Sequence, residues 1–176
     1  MNKTNEKGAK GTPGPREKPT SAEVEPDLYN AVVEAAELNS IALVSSDFEI
    51  KPTYFRDKKK NHHSISGDLD EVSFSEEDGF AVGFYNWSII VKSGREHVFK
   101  LKTRFMILYT SLDGHDPDCV ILFMKKMIRF STYPYFRNYV STISWLSDAD
   151  LPIMPVISTL PHRKQSKPRQ KRGPRG

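Results

Sequence analysis

The stretch "DGHDPDC" places Asp113, His115, Asp116 and Asp118 close together, with Cys119 directly after them. Carboxylates and an imidazole so spaced are the residue types that ligate a cation or share a proton in acid–base work. A turn followed by a helix cap explains the same letters and also accounts for the two that a metal would not require. Gly114 suits a tight turn, Asp116 can accept a backbone N–H, and Pro117 suits a first helical position. We therefore assign no metal ligand here. His62 and His63 follow Lys58, Lys59 and Lys60, whose charge opposes a bound cation, and they read as part of a polar loop. Cys119 is the single cysteine, so it has no internal disulfide partner and reads as a small core residue on a helix. The sequence holds no Gly-rich phosphate loop, no Gly-x-Ser-x-Gly and no His-Glu-x-x-His. It predicts no catalytic residue, no resident metal and no cofactor: a binding protein rather than an enzyme.

Charge separates the 176 residues into three regions. The first twenty residues carry five cations against two acids, and residues 162–176 carry seven cations and no acid. The middle is acidic, with fourteen bases against twenty acids, so the net charge of +4 comes from the ends. Both ends are rich in Gly, Pro and Lys or Arg and lack aliphatic periodicity, so they cannot offset their ordering entropy by burial. The expected organisation is a disordered basic tail over 1–22, one domain over 23–161, and a second disordered basic tail over 162–176. The start is polar where a signal peptide needs an apolar middle, and no apolar run is long enough to span a bilayer, which predicts a cytoplasmic protein.

The elements that would position any site follow from periodicity. "PDLYNAVVEAAEL" predicts a short helix, with Asp27 as its cap and Leu28, Val32 and Ala35 on one face. Residues 40–50, "SIALVSSDFEI", predict a first strand, which Pro52 ends. "KPTYFRDKKKNHH" is a polar crossing loop that nevertheless carries Tyr54 and Phe55. A second strand is expected within residues 64–75. "GFAVGFYNWSIIV", the turn "KSGRE" and "HVFKLKTRFMILYTSL" predict a long antiparallel hairpin. In its second arm His97, Phe99, Leu101, Thr103, Phe105 and Ile107 are expected on one face and Val98, Lys100, Lys102, Arg104 and Met106 on the other, the half-buried alternation of an antiparallel sheet.

Pro117 opens a helix whose apolar face is Val120, Phe123, Met124, Met127, Ile128 and Phe130. Pro134 predicts a break and the start of a second helical piece, with Tyr135, Phe136, Tyr139 and Ile143 facing the sheet. "DADLPIMPVISTLP", with three prolines, predicts an extended apolar strap. The fold class is α+β, with helices gathered on one face of a four-stranded antiparallel sheet. Such a sheet exposes its other face, and either Trp87 with Ile89 or Phe84 with Ile90 must point there. Exposed apolar surface of that extent marks an interaction site or self-association.

In "IALVSSDFEIKP", in the hairpin around "SGRE" and above all in "YPYFRNYVSTISWLSDADLPIMPV", the chain resembles the SecB-like chaperone family, over roughly residues 28–160. It is closer to the short, toxin–antitoxin-associated members than to export SecB. The resemblance implies a SecB-like four-stranded sheet assembling as a dimer of dimers. It also implies an ATP-independent holdase that binds unfolded or unstable client polypeptides in apolar grooves, for protein export or for an antitoxin. The client-binding positions it implies are Tyr54 and Phe55 in the crossing loop, and Trp145, Leu151, Ile153 and Met154 after the helix. Export SecB adds a further helix and an acidic tail region that helps it dock SecA. Here the chain turns basic at His162, so the resemblance does not carry SecA docking over. The alternative reading is a nucleic-acid-binding or adaptor protein that uses its basic tail, whose phosphate contacts would be weak and salt-sensitive.

Overall fold

The computed structural model describes residues 25–155. The expected basic tails, and the strap beyond Pro155, lie outside the described residues. Helix α1 covers Pro26–Ala35, and four strands follow: β1 Glu37–Ile50, β2 Asn61–Ser75, β3 Phe80–Ser93 and β4 Glu96–Thr110. One long helix, α2, covers Pro117–Leu146. The sheet is antiparallel throughout, in the order β1-β4-β3-β2. Because β1 and β2 occupy opposite edges, residues 51–60 must carry the chain across one end of the sheet. That crossing fixes where Tyr54 and Phe55 lie.

The hairpin is as the sequence predicts except at the start of its second arm, where a register shift between Val91 and Lys92 breaks the alternation and leaves His97 exposed and Val98 buried. Ser93 pairs with Glu96, leaving Gly94 and Arg95 as the turn, and Gly94 has φ +62°, the left-handed value that a tight hairpin turn requires. Alternation then decides the two faces. Ala81, Tyr85, Trp87, Ile89 and Val91 of β3, and Phe99, Leu101, Thr103, Phe105 and Ile107 of β4, are buried on the face that α2 and the crossing loop cover. Lys100, Arg104, Met106, Phe84 and Ile90 lie on the uncovered face, half-buried. Of the two pairs open to the sequence, Phe84 with Ile90 is the outward one. The Arg104 guanidinium sits 4.2 Å over the Phe84 ring and 2.8 Å from an Asp70 carboxylate oxygen.

Three sequence expectations are corrected. Pro134 does not divide the helix: it lies inside one 30-residue α2. The physical reason is a continuous buried row at every fourth position, Val120, Met124, Ile128, Thr132, Phe136 and Val140. Full burial of one aliphatic or aromatic side chain contributes about 1.5–3 kcal/mol, so the row outweighs the roughly 3 kcal/mol cost of an internal proline. It follows that Tyr135 is not on the sheet-facing side but 51% exposed, and Tyr133 is the buried tyrosine. His62 and His63 are not in a loop; they belong to β2, paired with Lys92 and Val91. The first helix is not capped by Asp27. Glu25 is the cap residue and makes no side-chain cap bond, while Pro26 holds the first helical position and Asp27 lies in the first turn.

Helix and sheet approach closely at Gly83, where a Cβ would sit 2.6 Å from Cδ1 of Ile128. Above that contact the Trp87 indole N–H donates to Thr132 Oγ1 at 3.0 Å, and its ring stacks on Phe136 with centroids 5.3 Å apart and planes at 10°. The buried indole N–H is therefore satisfied, which lets the large ring lie in the core without an unpaired donor. Asp116 caps α2 as expected, its Oδ1 accepting from the Cys119 N–H at 3.0 Å. Helix α1 packs on the first half of α2 through buried Val32, with Lys126 Nζ 4.3 Å from the Tyr29 ring centroid.

Candidate functional site

The end of the sheet spanned by the crossing loop also receives the C-terminus of α2, and three short segments meet there. Pro52 starts a 3-10 turn, Pro52–Phe55, which fixes two adjacent aromatics in opposite senses. Tyr54 turns inward and is buried, with its ring centroid 5.9 Å from that of Phe99 and its hydroxyl donating to the Ala149 carbonyl. Burial pushes its phenol above the ordinary value, and the charge of Asp150 adds to the effect. Phe55 turns outward, edge-on to Tyr54 at 5.2 Å, with Lys58 Nζ 5.9 Å from its ring centroid.

Ser147 caps the C-terminus of helix α2, and its N–H and hydroxyl both donate to the Ile143 carbonyl. Asp148 and Asp150 follow with φ of +52° and +51°, on either side of the fully buried Ala149. Aspartate tolerates this left-handed region better than most side chains, and the two residues turn the chain back on itself. Residues 150–155 then run back along α2. The Leu151 N–H donates to Ser144 Oγ at 2.9 Å, and the Tyr133 hydroxyl donates to the Pro155 carbonyl.

Between this returning strap and the helix lies a groove of roughly 480 Å³. Arg137, Ser144, Trp145, Asp148, Leu151 and Ile153 line it, with Lys58 at its crossing-loop side. Trp145 is 81% and Ile153 90% exposed, and Leu146 beside them is 66% exposed. Two cations and the carboxylates of Asp148 and Asp150 share the walls, so the rim is mixed in charge and the distinctive surface is apolar. Of the six positions singled out in the sequence, Phe55, Trp145 and Ile153 are at the surface, and Leu151 is half-buried in the wall. Tyr54 and Met154 are instead buried, one by its bond to Ala149 and the other as part of the floor.

Sequence reasoning missed Leu146, Ser144 and Tyr133. The every-fourth-residue row, continued from Val140, reaches Ser144 and would have placed it at the mouth of the groove. Elsewhere, among the described residues, no three His, Cys, Asp or Glu side chains converge as metal ligands. No helix among them is long and apolar enough to cross a membrane.

A four-stranded antiparallel sheet in this order, crossed at one end by its first connection and covered on one face by a long helix, defines the SecB-like fold. The likeness is to the Mycobacterium tuberculosis SecB-like chaperone Rv1957, solved in complex with a ChAD peptide from the HigA1 antitoxin. That match has a TM-score of 0.58 and 15% sequence identity, and covers 77% of this chain and 97% of that one. A Streptococcus agalactiae protein of unknown function also matches, at a TM-score of 0.36 and 7% identity, over 70% of this chain and 97% of that one. No protein-family model matches the chain, and no curated protein matches it.

Proposed function

We propose that the protein is a molecular chaperone of the holdase kind, binding unfolded or unstable polypeptides in the groove between α2, the crossing loop and the strap. The observation that carries this reading is the gathering of Trp145, Leu146, Ile153 and Phe55 as exposed large apolar side chains at one end of a domain with the SecB-like fold. Apolar surface left open in this way marks a binding site for another apolar chain. Phe55, Trp145, Leu151 and Ile153 touch the client, and Tyr54 supports them from beneath through its bond to Ala149. Binding energy and handover drive the cycle, with no nucleotide. The antitoxin peptide on the mycobacterial neighbour favours a labile antitoxin as the client class, with an exported polypeptide as the second.

Assembly with a second copy through the open β1 edge is part of the same proposal. Leu38, Leu43, Val44 and Phe48 are exposed along that edge strand, and pairing it antiparallel with its copy would satisfy its free backbone groups. A dimer of dimers is the expected state, to be checked by multi-angle light scattering.

The test of function is light scattering of a chemically unfolded protein diluted with the parent or with the Trp145→Ser, Ile153→Ser double variant. The parent suppresses aggregation, and the double variant loses most of that effect while its circular dichroism melt is retained. A parent that protects no client sinks the chaperone reading. Added salt leaves apolar binding unchanged or strengthens it, whereas binding that weakens steeply with salt points to phosphate contacts instead.

A further inference from the structure

Among the described residues, no hydrogen bond between main-chain groups ties residues 150–155 to the rest of the chain. Ala149 before it donates its N–H to the Ser144 carbonyl at 3.1 Å, and beyond that bond three side-chain hydroxyls, each in contact with a main-chain atom, hold Ala149 and the segment. Tyr54 donates to the Ala149 carbonyl, Ser144 Oγ accepts from the Leu151 N–H, and Tyr133 donates to the Pro155 carbonyl. Along the same run one side chain is sunk into the body: Met154 is buried, whereas Ile153 stands in solvent. An extended chain fixed by its backbone and by one flexible apolar side chain is how a surface holds a peptide whose sequence it does not read.

Resting on the chaperone reading above, we infer that the strap is an intramolecular stand-in for the client. The Met154 seat, with the Tyr133 and Ser144 hydroxyls, is a main-chain-reading subsite for an extended polypeptide carrying an aliphatic side chain such as Leu or Met. A client displaces residues 151–155, places its aliphatic side chain where Met154 sits, and takes over the two hydroxyls. Tyr54 stays on Ala149 and keeps the helix connection in place. The strap therefore lowers the apparent client affinity by the fraction of time it is seated, and weakening the strap removes that cost.

The two neighbours on the strap then carry opposite signs. The displaced strap stays beside the client and packs Ile153 on it, so Ile153→Ser weakens binding, whereas Met154→Ser unseats the competitor and strengthens it, by several-fold to about tenfold where the strap is seated about nine-tenths of the time. The probe is a fluorescently labelled, reduced and carboxymethylated protein that cannot fold, titrated with each variant and followed by anisotropy. A folded Met154→Ser that binds the probe as the parent does, or more weakly, overturns the inference. A second measurement needs no variant. Hydrogen exchange at the Leu151 and Met154 amides of the parent speeds up when the unfolded probe is saturating; exchange that is unchanged or slower means that the client lies on the strap without displacing it, and overturns the inference. A parent that binds no unfolded probe removes the chaperone reading itself, and the inference with it.

Discussion

The two tryptophans of this chain both sit in apolar runs, and the structure treats them oppositely. Trp87 is 3% exposed in the middle of β3, stacked on Phe136 and bonded to Thr132. Trp145 is 81% exposed one residue before the end of α2. The difference lies in what covers them: the helix seals the sheet along the row from Val120 to Val140, and beyond Val140 it runs past the sealed core toward the crossing loop. Apolar residues in the sealed region are committed to stability. Trp145 and Leu146, past it, stand exposed and contribute little to the fold.

Breaking the sealed region gives the largest effects. Trp87→Ala or Phe136→Ala should cost about 3–5 kcal/mol, as core aromatic truncations do, read as a lowered denaturation midpoint. If either variant melts like the parent, the sealed half of the comparison is wrong. Pro134→Ala should stabilise, by up to about 3 kcal/mol, because it restores an N–H for the Phe130 carbonyl within an otherwise regular helix. Loss of stability there would mean that the proline shapes the helix to fit the sheet.

The open region predicts the converse. Trp145→Ser with Ile153→Ser should move stability by no more than roughly 0.5 kcal/mol, the range of surface changes. A large loss in the melt would show that these side chains pack in the folded protein.

The smallest effect belongs to the exposed ion pair of Asp47 and Lys100, 2.5 Å apart on the uncovered sheet face. A hydrogen bond and then the charge of Lys100 hold the Asp47 carboxyl below its ordinary value. Its contribution is present above the ordinary carboxylate range, near pH 4, and is lost as pH falls through the lowered value. Asp47→Asn should flatten that part of the acid-stability curve slightly, and less so at high salt. An unchanged acid limb would remove any role for the pair.

Much of the fold is legible in particular residues. The alternation from Phe99 to Ile107 fixes the inner face of β4, Gly94 fixes the hairpin turn, and Asp116 with Pro117 fixes the start of α2. The break placed at Pro134 was misleading because a local penalty was weighed without the packing that overrides it. The error carried a phase shift with it, which put Tyr135 rather than Tyr133 against the sheet. For the candidate site, the sequence marks two segments, the crossing loop and the strap, and the structure brings them to one end of the sheet. The sequence does not separate the buried Tyr54 from the exposed Phe55, or the buried Met154 from the exposed Ile153.

Periodicity and turn chemistry act between residues a few positions apart, so the chain alone determines the strands, the hairpin, the helix start and the apolar character of residues 151–155. Which apolar side chains remain open is set by contacts between residues far apart in sequence, such as Tyr54 with Ala149 and Trp87 with Phe136. Neighbouring side chains of one polarity can be told apart only by the surface each one meets, and that surface exists only once sheet, helix and strap have come together.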